Sequence, residues 1–240
     1  MQFSTVARRL EGIPYTSAAK GRVFYDFILK HRPRRVLELG FAHGVSSCYF
    51  AAALDEFGGK LDAVDLDVGF EPSLEELRSA LGFENLISIH REKSSYTWFL
   101  KKKLEEQFSN GNVHTPYDFC FIDGPKDWTN DGLSFFLVDQ LLSDGGIIMF
   151  DDYSWTYRAF GRNKGYVFEN MSEEELAQPQ IEAVFRLLVM QHPSYSGFEI
   201  IDDNLAIAKK IKSEDRVLEH TTKFSLAYRI MKAVKKMNRR

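Results

Sequence analysis

The chain has 240 residues, 44% hydrophobic and 27% charged, a balance that suits a globular domain with a sizeable core and excludes a disordered or fibrous chain. A formal net charge of −3 gives no global attraction to nucleic acid, so a nucleic-acid partner is not expected and any basic surface must be local. The opening MQFSTVARRLEG lacks the apolar core of a secretory signal, and no window approaches the ~18 apolar residues that span a bilayer; a cytoplasmic location is expected. Cys48, in a helix-like stretch, and Cys120, in the apolar run YDFCFID, read as small buried core residues.

In chain order, Lys20–Lys30 has the spacing of a helix, followed by a strand at Arg35–Leu39. Helices over Ser46–Phe57, Ser73–Leu81, Tyr96–Phe108 and Gly132–Leu142 then alternate with strands over Leu61–Leu66, Leu86–His90, Tyr117–Ile122 and Gly146–Phe150. Short aliphatic runs alternating with longer amphipathic ones are the pattern of βαβ units, so the fold class is α/β with a parallel sheet. After the fifth strand, Tyr153–Met171 is aromatic and basic, with Trp155, Tyr157, Arg158, Phe160, Arg162, Lys164, Tyr166 and Phe168. A helix is expected over Glu173–Met190, and FEIIDDNLAIAKK predicts two short strands around the hairpin turn Asp202-Asp203-Asn204. One domain over 1–212, with an insertion at 153–197, is expected to precede a basic amphipathic helix over 213–240. That helix would place Phe224, Ala227, Met231 and Val234 on one stripe, a pattern that suits docking on the domain, pairing of two subunits or peripheral contact with an anionic membrane.

The stretch VLELGFAHGVSS, residues 36–47, runs from a strand into a glycine turn. In an open parallel sheet ligands bind beyond the carboxyl ends of the strands, where glycine lets them approach the backbone. Glu38-x-Gly40-x-x-x-Gly44 departs from the G-x-G-x-x-G fingerprint, which weakens a dinucleotide reading. A carboxylate at Glu38 would repel pyrophosphate but suit a ligand with an ammonium group. Asp65, ending the second strand in AVDLD, can accept ribose hydroxyls. An amino acid joined to a nucleoside satisfies both; the alternative is that Gly40 and Gly44 only make a tight strand-to-helix turn.

With these residues the chain resembles the class I methyltransferases that use S-adenosylmethionine. The stretch AAKGRVFYDFILKHRPRRVLELGFAHGVSS looks more closely like the opening of catechol O-methyltransferase and its bacterial relatives, and the likeness runs from about Thr16 to Asp152. The resemblance implies a Rossmann-like, seven-stranded, mostly parallel sheet with helices on both faces and one antiparallel edge strand. It also implies that Thr16, Gly40, Ala42 and Ser46 line the methionine end of the cofactor, Asp65 the ribose and Ser94 the adenine.

FCFIDGPKDW puts Asp123 at the end of the fourth strand, and GGIIMFDDY puts Asp151 and Asp152 at the end of the fifth. Three carboxylates in one crevice repel unless a cation is present, and hard oxygen ligands suit Mg²⁺, Mn²⁺ or Ca²⁺. Capping of helices and turns is the alternative role for such aspartates. The resemblance implies a metal set of Asp123, Asp151 and Asp152, the last standing where catechol-type enzymes carry Asn. It likewise gives Lys126, three residues after Asp123, as the base that takes the acceptor's proton. The resemblance thus implies a cation-dependent O-methyltransferase acting on a small-molecule or glycan hydroxyl. Its rivals are a metal-independent enzyme using His192 or Asp151, and a protein that binds the cofactor without chemistry.

Overall fold

A computed structural model gives the structure of residues 1–109, 116–160 and 171–211. It opens with a helix that the sequence pattern did not signal, α1 (Phe3–Arg9), and continues with α2 (Ala18–His31), capped by Ser17. The expected alternation follows as β1 (Arg35–Leu39), α3 (Val45–Asp55), β2 (Lys60–Leu66), α4 (Leu74–Leu81), β3 (Ile87–Glu92), α5 (Tyr96–Ser109), β4 (Tyr117–Ile122), α6 (Trp128–Leu141) and β5 (Leu142–Phe150). Then come α7 (Tyr157–Phe160), α8 (Glu173–Ala177), α9 (Gln180–Val184) with a π turn over Phe185–Val189, and the hairpin strands β6 (Tyr195–Ile201) and β7 (Leu205–Lys210).

The strands form one seven-stranded sheet in the order β3-β2-β1-β4-β5-β7-β6. The first five pair in parallel; β7 is antiparallel to both β5 and β6. Because a tight hairpin forces β6 and β7 to run oppositely, the single antiparallel strand lies one position inside the edge, and β6 closes the sheet parallel to the first five. The hairpin turn is where the sequence put it, with Asp202 and Asp203 at φ 52° and 51°.

Alternation along the strands feeds two core layers. Val36, Phe119, Phe121 and Met149 pack with Phe24 and Phe50 on one face. Leu37, Leu39, Cys120, Ile122, Ile148 and Phe150 pack with Phe135 and Phe185 on the other. Both cysteines are buried and free, as expected, and burial pushes their thiols well up. The expected helix over Glu173–Met190 is broken: Gln178 precedes Pro179 and takes ψ 136°, which ends α8 before α9 begins. The proposed helix over 213–240 lies outside the described residues. Among the described residues, no helix is long and apolar enough to cross a membrane.

Candidate active site

The sheet reverses its winding direction between β1 and β4, and the crevice beyond their carboxyl ends is where an open α/β sheet binds ligands. Backbone bonds carry the ladder one residue past the strands: Gly40 N–H to Val64 at 2.8 Å, Asp123 N–H to Leu39 at 2.8 Å and Asp151 N–H to Ile122 at 3.0 Å. Gly40, Asp123 and Asp151 therefore stand side by side on the lip. Gly40 has φ 87°, and a Cβ there would stand 2.1 Å from the Asp123 carbonyl oxygen, so only glycine lets β1 and β4 come this close.

Thr16, Gly40, Ala42, Ser46, Asp65, Ser94 and Asp123 all line one cavity of about 1120 Å³, room for a nucleoside-sized ligand and a second molecule. Asp65 does more than face that cavity. Its Oδ2 accepts from the amides of Phe41 at 2.8 Å and Ala42 at 2.6 Å, and its Oδ1 from Leu66 at 2.6 Å. A carboxylate has about four acceptor sites, so about one remains for a ribose hydroxyl. Glu38 and Gly44 are not on the wall. Glu38 is fully buried beneath it, accepts a hydrogen bond from the Ser47 hydroxyl, and leaves Oε1 without a partner. Burial pushes its pKa up to about 8, so at neutral pH Glu38 is a neutral acid under the turn; the expected anion facing an ammonium group is not what this state presents. Gly44 opens α3 at φ 87° with Leu74 packed where a Cβ would be.

The three aspartates do converge. Carboxylate oxygens of Asp123, Asp151 and Asp152 lie within 4.8 Å of one another. Asp151 is buried, and burial followed by its two acidic neighbours pushes its pKa up to about 7. Lys126 bonds Asp123 and lies 3.4 Å from Asp152. Although burial works against the charge, the three carboxylates together hold the Lys126 ammonium far above the ordinary lysine range. Tyr15, Ala42, Lys126 and Asp152 are non-glycine residues on the cavity wall with φ between 47° and 78°. Each costs about 1–3 kcal/mol, a strain that clusters at functional sites.

Residues 37–153 match the family model described as a methyltransferase domain. Those residues, just under half of the chain, are similar to methyltransferase domains and span β1 to β5 of the α/β fold. Solved structures repeat that fold across most of the chain's length. An O-methyltransferase from Bacillus cereus, in complex with SAH, is 18% identical, with 86% of this chain and 87% of that one covered and a TM-score of 0.59. The O-methyltransferase TomG from Streptomyces achromogenes, involved in tomaymycin synthesis and in complex with SAM, is 19% identical over 88% and 89%, with a TM-score of 0.58. SAH-bound PaMTH1, a methyltransferase from Podospora anserina, is 15% identical over 88% of each chain, with a TM-score of 0.61. No curated protein matches the chain.

Several contacts of this candidate site carry no signal in the sequence pattern. Lys20, in the first turn of α2, reaches both oxygens of Asp151 at 2.6 and 2.7 Å. Asn204, in the β6–β7 hairpin, donates to Asp152 at 3.2 Å. Beneath the loop after β4, Tyr96 donates to the buried Asp131 at 2.6 Å, and a Cβ on Gly124 would overlap both side chains. Above it, the Tyr157 hydroxyl bonds the Pro125 carbonyl, so the Asp123–Lys126 loop is held from two sides. All four come from distant parts of the chain, and the partners are set by topology alone.

The aromatic segment divides: Tyr153 packs in the core against Phe185, while Trp155 lines the cavity, as does Trp128 on α6. Arg162, Lys164, Tyr166 and Phe168 lie outside the described residues. His192 sits in the turn after α9 with its ring against Phe135 at 5.6 Å and Tyr195 at 5.5 Å, and it is absent from the cavity wall, which removes it as a candidate base. His43 bonds the Pro72 carbonyl at 2.9 Å and packs between Tyr15 and Phe70 at the cavity mouth.

Proposed function

We propose that the protein transfers the methyl group of S-adenosylmethionine to a hydroxyl of a small molecule or glycan, with a divalent cation held by Asp123, Asp151 and Asp152. The observation that carries this is the meeting, in one cavity, of the glycine turn and Asp65 with three carboxylates and a lysine. The donor set is all hard oxygen, and burial beside two further carboxyl groups raises the Asp151 pKa, a cost of ionisation that a bound dication would offset. Mg²⁺, Mn²⁺ and Ca²⁺ fit it equally in kind.

The cofactor would lie along the turn, with Ser46 and Thr16 toward its methionine end, Asp65 bonding the ribose and Ser94 at the adenine. A cation held by Asp123, Asp151 and Asp152 would supply Lewis acidity for the acceptor hydroxyl and would offset part of the negative charge around Lys126. As the free amine, its own proton released to solvent, Lys126 Nζ takes the acceptor's hydroxyl proton while the oxygen–methyl bond forms and the methyl–sulfur bond breaks. The remaining work is alignment: the displacement at the sulfonium methyl is in-line, and Trp128 and Trp155 form apolar walls that position an acceptor and exclude water.

One observation favours a metal-independent variant: Lys20 and Lys126 already sit on the three carboxylates, which therefore have counter-charges of their own. A methyl-transfer screen of catechols, sugars and glycan extracts separates the readings. Run with Mg²⁺ and then with EDTA, the cation reading predicts turnover that chelation abolishes and that falls by at least about 100-fold in Lys126→Ala. Turnover unchanged by EDTA would establish the metal-independent enzyme, and binding of the cofactor without turnover of any acceptor would favour a non-catalytic protein.

A further inference from the structure

Asp151 is the deepest of the three clustered carboxylates, and its closest charged partner comes from outside the motif that supplies the others. Lys20 projects from the first turn of α2, 131 residues away in sequence, and its Nζ bonds Oδ1 at 2.6 Å and Oδ2 at 2.7 Å. The Asp152 amide takes a further site on Oδ1 at 2.8 Å. Lys20 is itself largely enclosed, its side chain 21% exposed, and Ser17 caps the helix turn from which it extends. Lys126 pairs with the Asp123 and Asp152 side of the cluster, so two ammonium groups face three carboxyl groups.

We propose that Lys20 is a built-in competitor for the divalent cation: its ammonium occupies both carboxylate oxygens of Asp151, and the cation takes a ligand there by displacing it. This inference rests on the cation reading given above. An ammonium at hydrogen-bond distance from a carboxylate and a dication bonded to that carboxylate stand only a few ångströms apart, where like charges repel strongly in a partly buried site. Lys20 has the means to yield, since its stem is flexible and its head reaches the cavity that opens to solvent. The consequence is a site that keeps Asp151 paired and in place when empty of metal, and whose affinity is held down by the same contact.

The test is Mn²⁺ binding to the full chain, read by paramagnetic resonance of the free ion without cofactor or acceptor, in wild type, Lys20→Met, Lys20→Gln and Lys20→Arg. Competition predicts affinity at least about tenfold tighter in the Met and Gln variants and close to wild type in the Arg variant, which keeps the charge. Melting adds a second readout: in EDTA the neutral variants melt lower than wild type, and Mn²⁺ raises them by more than it raises wild type, a response that a merely structural lysine would not give. Unchanged or weaker affinity in both neutral variants, with wild type binding Mn²⁺, overturns the competitor role and leaves the cation reading standing. No binding in wild type or in any variant overturns the cation reading itself, and binding confined to the neutral variants supports competition in its strongest form.

Discussion

Gly40 has no room for a side chain, since the Asp123 carbonyl fills the position a Cβ would take and the backbone is left-handed there. Gly40→Ala must part β1 from β4 or strain the turn, and it is expected to lower the unfolding free energy in urea by more than about 3 kcal/mol. A loss under about 1 kcal/mol would mean the strands can separate at little cost. Two residues further back, Glu38 gives a pH signature. Its carboxyl has a pKa of about 8 in the fold against 4.5 in a solvated chain, so between those values the folded state keeps a proton that the unfolded state has released. Stability is therefore greatest below about pH 4.5 as far as Glu38 is concerned, declines as pH rises toward 8, and levels beyond it. Asp131, raised by burial to about 7, adds the same sign over the lower part of that window. Urea titrations at several pH values check this: Glu38→Gln should flatten the decline. An unaltered slope would show that Glu38 is already ionised in the fold.

At the scale of elements, the strands that frame the site were legible because they are buried on both faces and read as short unbroken apolar runs. β4 matches its expected bounds at Tyr117–Ile122, and the glycine turn announced itself through residues that only a tight, ligand-facing bend requires. Helix limits were less legible where capping overrides periodicity: α6 begins at Trp128, four residues before the apolar spacing starts at Gly132, because Asp127 caps it by accepting from Asn130 at 2.7 Å. Lys20 and Asn204 lay in segments that the sequence did mark, as a helix start and a hairpin turn. Their partners are 131 and 52 residues away, and no local spacing encodes such a contact. Asp65 was legible as a ligand-facing acid but not as the acceptor that fastens the glycine turn. One element is predicted to be separable from the site. α4 carries a capping box between Ser73 and Glu76 and only buttresses the turn through Leu74. Ser73→Ala should cost about 1 kcal/mol in thermal or urea unfolding while cofactor affinity stays within about twofold. An affinity loss of about tenfold would make α4 part of the binding machinery.

Across the whole molecule, the parallel sheet does one thing that no single element does. It sets the ends of β1, β2, β4 and β5 along one lip, so that the glycine turn, an acidic cluster and two lysines share a cavity. The acceptor and the methyl transfer proposed for it both presuppose that S-adenosylmethionine lies along that lip. Calorimetric titration of the purified chain with S-adenosylhomocysteine tests this most directly, in wild type and in Asp65→Ala. The prediction is saturable binding of about one ligand per chain, weakened at least about tenfold by the substitution. No heat of binding up to about 1 mM ligand, or binding indifferent to Asp65, would contradict it.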